Sequence, residues 1–128
     1  MLWVMIYNAS RPSVQPMLAR YCDTFVCRLR GLILHKPLAF QEGLLLVYPK
    51  DSVYDSSIHM LGVRSDLAVA WINKAGQVVD AILAKKWRLA YFPNHPAAYV
   101  LEMAPERQRD FCIGDWVRFE EEVKNVPG

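Results

Sequence analysis

His59 is the residue of this chain with the most versatile chemistry near neutral pH. An imidazole can take up or release a proton there, or ligate a metal. It stands in a polar stretch with Ser56, Ser57, Arg64 and Asp66. One reading makes His59 the general base of a hydrolytic enzyme, with Asp66 orienting the ring. No serine here is flanked by glycines as in a nucleophile elbow, and the order of residues matches no known nucleophile signature. Serines in such clusters usually shape turns. The plainer reading of His59 is a packing histidine bonded to a backbone carbonyl. The favoured reading is non-catalytic: a domain that binds a small polar or anionic ligand, or a protein partner. In it His59 and Arg64 make polar contacts, Trp87 forms a wall and Arg30 anchors the ligand, unless Arg30 bonds loop carbonyls instead. Its site lies between the Ser57–Asp66 segment and the Lys85–Pro96 segment. A third reading is a structural or interaction domain without a pocket.

Other chemistry is weaker. His35, His59 and His95 are isolated, with no paired-histidine or Cys-x-x-Cys spacing, so no metal and no other cofactor is expected. Cys22 and Cys27 have four residues between them and Cys112 is distant. An odd, small number of cysteines is no disulfide framework. Buried reduced thiols are expected, and with them a cytoplasmic setting. Arg28, Arg30, Lys36, Arg64, Lys85, Lys86 and Arg88, with Trp87, Tyr91 and Phe92, could form a basic, aromatic patch. Such patches can bind nucleic acid, but long basic side chains also lie over aromatics on ordinary surfaces. The scattered glycines make no phosphate loop.

These residues need elements to position them. Leu2–Tyr7 is rich in strand formers. Residues 14–21 hold a short extended piece at most. Asp23 is the expected N-cap of a short helix in which Phe25, Leu29 and Leu32 fall at helical spacing, and Gly31 closes it. Gly43–Tyr48 is an apolar run stopped by Pro49, as in a strand buried on both faces. Ser57–Val63 and Leu67–Ile72 follow as strands. Asn73–Gly76 turns a hairpin into Gln77–Leu83. Residues 85–96 form a long packed loop, with one extended stretch at most. Ala97–Met103 is a strand, Pro105 opens a short helix to Asp110, and Trp116–Phe119 is the last strand. Trp3, Trp71 and Trp116 lie in strands and are expected in the core. The sum is a mainly β chain: one compact sandwich or barrel-like domain over residues 1–120, with six or seven short strands and two short helices. Residues 121–128 are expected to be a solvated tail.

Composition agrees. The chain has 128 residues, 53% of them hydrophobic, enough for a core and too many for disorder. Fifteen Lys and Arg against thirteen Asp and Glu leave a net charge of +2. That balance points to no nucleic-acid and no membrane partner. No apolar run approaches the roughly 18 to 20 residues of a membrane helix, and Met1–Tyr7 lacks the basic leader of a signal peptide. The oligomeric state is not readable.

Several segments, in order, resemble the bacterial and archaeal family known as domain of unknown function 192. They are Tyr7-Asn8-Ala9-Ser10-Arg11, Asp23-Thr24-Phe25, Arg28-Leu29-Arg30-Gly31-Leu32, Glu42-Gly43-Leu44-Leu45-Leu46 and Ser57-Ile58-His59 with Gly62 and Arg64. Gly76-Gln77-Val78-Val79, Ala98-Tyr99-Val100-Leu101-Glu102-Met103 and Ile113-Gly114-Asp115 complete the set. The resemblance spans about Leu2 to Phe119 and implies a β-rich, sandwich-like fold. It implies no activity, substrate or cofactor. Asp66-Leu67-Ala68 departs from the family's Pro-Ile/Leu-Asp: the acid comes two positions early. In a strand that keeps its face and moves it roughly 6 to 7 Å along.

Overall fold

The computed structural model describes residues 2–33 and 35–122. The chain is mainly β. Seven strands form one sheet in the order β6-β5-β8-β3-β2-β1-β9, and β4 pairs with β7 in a small second sheet. In chain order they are β1 (Trp3–Asn8), β2 (Met17–Cys22), β3 (Glu42–Ser52), β4 (Ile58–His59), β5 (Leu67–Ile72), β6 (Val78–Ala84), β7 (Ala90–Tyr91), β8 (Ala97–Met103) and β9 (Val117–Glu122). Helix α1 (Phe25–Arg30) lies in the crossover between β2 and β3, which pair in parallel. A 3-10 turn covers Pro105–Arg107. No helix among the described residues is long and apolar enough to cross a membrane.

The sheet is curled. Val4 and Ile6 of β1 share one buried cluster with Ala68, Ala70 and Ile72 of β5, although three strands separate β1 from β5 in the sheet. Leu45, Leu101, Met103 and Phe111 fill the same inner core. The two edges meet at one end only, through the Gln77–Trp116 bridge and the bonds Val78 N–H to Asp115 O and Val117 N–H to Gly76 O, each 2.8 Å. The barrel therefore does not close. The outer face carries a second cluster, with Leu44, Leu46, Val69, Trp71 and Val100 under Leu32, Ile58 and Met60 from the segments that cross it. This explains why β3, β5 and β8 read as continuous apolar runs: both of their faces are covered.

Several expectations change. Pro49 does not stop β3. The strand runs on to Ser52 because the register with β8 shifts between Val47 and Ser52, and an irregularity tolerates a residue that cannot donate to the ladder. Thr24, not Asp23, caps α1, its hydroxyl accepting the Cys27 N–H at 3.1 Å. No residue of α1 is buried. Phe25 and Leu29 are 71% and 54% exposed, and only Leu32, beyond the helix, reaches the core. Cys22 and Cys27 are not free thiols but a disulfide: the chain turns back after β2 and brings their Cα atoms to 5.6 Å, within bonding range. Trp71 is fully buried, but Trp116 is 47% exposed, because it precedes β9 at the open rim. Glu121 and Glu122, expected in the tail, continue β9 opposite Val4 and Trp3. The rest of that tail, residues 123–128, lies outside the described residues.

Candidate functional site

β4 pairs with β7 through Ile58–Tyr91 and His59–Ala90, and the Met60 N–H donates to Leu89 O. The two expected segments are therefore neighbours. Their backbones join as a ladder, which leaves no cleft between them. The recess opens instead on the other side of β4, toward α1. Arg28, Leu29, Arg30, Tyr48, His59 and Glu102 are among its lining residues. It has a volume of about 30 Å³, roughly the space of one water. A broader groove of about 390 Å³ shares Arg28, Leu29, Tyr48, Ser57 and His59 with it and adds Phe25, Pro49 and Asp55.

Glu102 is the residue that sequence reasoning missed. It sits on β8 between Leu44 of β3 and Val69 of β5. On β8 it shares a face with Val100, because alternate residues point the same way. That face is the apolar outer core, and Glu102 is only 5% exposed there. Burial pushes its carboxyl up to about 7, with no other cause. Among the described residues no hydrogen bond or ion pair to its side chain forms. The nearby guanidinium of Arg28 is already committed. It donates to Asp23 O at 2.7 Å and to Val47 O at 2.9 Å, and lies 4.8 Å from the centre of the Tyr48 ring. Burial also raises the Tyr48 hydroxyl; Arg28 lowers it, and Glu102 adds to the rise. One signal was available: Glu102 is the lone charge in the apolar run 97–104.

Of the four expected ligand contacts, His59 and Arg30 line the recess. The exposed His59 ring reaches Leu29 O at 3.4 Å through Nε2, close to the plain reading of a carbonyl-bonded histidine. Arg64 and Trp87 do not line it. Arg64 is exposed on the chain after the Gly62 turn, and Trp87 is 73% exposed beneath Lys85. Trp87 lies on a turn and Arg64 in the irregular segment after one. Asp66 does not orient His59. Its carboxylate accepts the Lys86 N–H at 3.0 Å and faces Lys85 Nζ at 3.4 Å. The Lys86 backbone bond, above all, holds its pKa below the ordinary value. The general-base pair of the hydrolytic reading is thus not assembled. No group of three His, Cys, Asp or Glu among the described residues could hold a metal.

A second polar cluster gathers two of the matched motifs. The buried Asn8 donates to Asp110 O and Asp115 Oδ2, both at 2.8 Å, and accepts the Ser10 and Arg11 N–H groups. Burial alone would raise the Asp115 carboxyl, but bonds from Cys112 N–H, Asn8 and Arg11 hold it below its ordinary value. These groups satisfy one another and bind the β1 end to the β9 start. Arg107, fully buried, does the same beside them with Asp110, Phe40 O and Gln15 O.

A curled, mostly antiparallel sheet with one parallel pair and a small recess on its outer face defines the class. Within it, the chain belongs to the family DUF192, Uncharacterized ACR, whose model matches residues 6–119. It is 36% identical to a UPF0127 protein of Thermococcus kodakarensis, over 96% of this chain and 80% of the relative. It is 34% identical to one of Thermococcus gammatolerans, over 96% and 82%. Two solved structures share the fold. A Sinorhizobium meliloti protein described as a candidate transcription regulator has a TM-score of 0.77 at 19% identity, covering 92% of both chains. A Novosphingobium aromaticivorans protein of unknown function has 0.68 at 16% identity, covering 91% of this chain and 83% of that one. The family is uncharacterised.

Proposed function

We propose that this is a non-catalytic binding domain that takes a small polar ligand at the Glu102 recess. The head of the ligand carries N–H donors and meets the Glu102 carboxylate. Its body lies along Phe25, Leu29, Tyr48 and His59. The observation that carries this reading is a buried carboxyl that opens on a cavity and has no donor among the described residues. Burying an ionised group is costly without a partner, and a ligand cation or amide supplies one. The same carboxyl, titrating near neutrality, would suit acid–base chemistry. Yet the Ser57 hydroxyl in the lining donates to Tyr54 O at 2.7 Å rather than to a base. A protein partner bearing such a group on a side chain fits the exposed Phe25 and Leu29 equally well. The even charge balance favours no nucleic-acid or membrane partner. The proposed setting is cytoplasmic. The Cys22–Cys27 bond removes the cysteine argument for it, and in a reducing compartment that bond would have to be labile.

The test is an NMR titration at pH 8, where Glu102 is ionised, with methylammonium as probe. Saturable shifts at Glu102, Tyr48 and Ser57 are expected. Tetramethylammonium, which is larger and has no N–H, is expected to give none, as is methylammonium with Glu102→Gln. Equal responses from both probes, or from parent and variant, refute the reading.

A further inference from the structure

Cys27 of the Cys22–Cys27 disulfide lines a second open groove, which shares Arg30, Gly31 and Ile33 with the Glu102 recess. Its volume is about 510 Å³, and Arg20, Thr24, Cys27, Arg30 and His35 are among its lining residues. Among the described residues, no Asp or Glu lines it. The sequence explains the grouping. Arg20 and Cys22 are two apart on β2 and share a face. Cys27 and Arg30 are three apart on α1 and share a side. The disulfide therefore joins two elements that each bring an arginine alongside it. Neither Arg20 nor Arg30 makes a side-chain hydrogen bond or ion pair among the described residues. Glu42, which lines an adjoining recess with Arg20 and His35, accepts the Ala39 N–H at 2.8 Å. The two sulfurs differ in access: Cys22 is 1% exposed, whereas Cys27 is half-buried and lines the groove.

We propose that Cys22–Cys27 is an exchangeable disulfide whose substrate is a low-molecular-weight thiol bearing carboxylates, seated on Arg20, Arg30 and His35. The thiolate of the incoming molecule attacks Cys27 Sγ. A sulfur–sulfur bond forms between them, the Cys22–Cys27 bond breaks, and Cys22 leaves as a thiolate that takes up a proton. A second thiolate then attacks the mixed disulfide at the small molecule's sulfur and frees Cys27. Two thiols are oxidised to one small disulfide, and one protein disulfide is reduced to two thiols. The cationic groove acts twice: it gathers the anionic thiol, and it stabilises the thiolate that Cys27 becomes.

The experiment uses full-length protein with Cys112→Ser, which removes the exposed free thiol. Glutathione, 2-mercaptoethanol and cysteamine are compared at equal thiolate concentration, followed by alkylation and mass spectrometry. Glutathione is expected to open the bond roughly tenfold faster than the cationic cysteamine, with the transient adduct on Cys27. That preference is expected to shrink several-fold in high salt and with Arg30→Gln, a change at an exposed position. Three outcomes overturn the proposal: a bond that none of the thiols opens in folded protein, equal rates for all three, or an adduct on Cys22.

Discussion

Glu102 concentrates the tension of this molecule in one side chain. A carboxyl with an ordinary pKa of 4.5 is held at about 7 by burial. Between those values the folded protein keeps the proton and the unfolded chain has lost it. Folding takes up a proton there, so stability falls as the pH rises across that window and levels off above it. The full difference is roughly 3 kcal/mol. Glu102→Gln should therefore match the parent near pH 4 and exceed it at pH 8 by up to about that amount, as urea unfolding at the two pH values would show. A gap independent of pH would mean that Glu102 carries no displaced proton. Asp115 works in the opposite direction. Its depressed carboxyl stabilises the fold above pH 3.8, and that contribution is lost as the pH falls through its folded value.

The residue types alone went part of the way. His59 and Arg30, which line the recess, stand out in the sequence because a lone imidazole and a basic helix end invite attention. Glu102 was visible in the sequence, but its strand reads as core, and strand periodicity says nothing about which core position opens on a cavity. Arg64 and Trp87 do not line the recess, because the direction of side chains in and after a turn depends on neighbours that the local sequence does not name.

At the scale of elements, strand positions followed from apolar runs and turn residues. Leu67–Ile72 and the Gly76 hairpin emerged as read, with Gly76 at φ 102°. The failures share a cause. β2, the Pro49 irregularity and the β4–β7 pair all depend on a partner far away in sequence. Helix α1 shows the same limit: its apolar spacing predicted a buried stripe, yet no residue of it is buried. What holds it is peripheral: the Thr24 cap, the Cys27 bond and the Arg28 bonds to Asp23 O and Val47 O. A helix of six residues has little stability of its own. Hydrogen exchange followed by mass spectrometry should show amides of 27–31 exchanging at least tenfold faster than those of 99–102 in β8, through local opening. Equal protection would mean that α1 opens only with the whole fold.

At the scale of the molecule, the mainly β class was legible from strand count and the absence of long helices. A sandwich or barrel-like form was expected, but where the sheet's edges meet was not legible, because that arises from how distant strands share the inner core. The topology also joins far ends of the chain. β1 lies between β2 and β9, and its outer side is covered along its whole length, from Trp3–Glu122 to Asn8–Val117. Without residues 117–128, the backbone of Trp-Val-Met-Ile-Tyr-Asn would present free amides and carbonyls beside apolar side chains, a template for strands from other molecules. Such a truncated chain should sediment as oligomers where the full chain does not, and a monodisperse monomer would contradict this. The acidic run Glu120-Glu121-Glu122 puts three like charges on the sheet's outermost strand, which would repel a second copy of that strand laid alongside it.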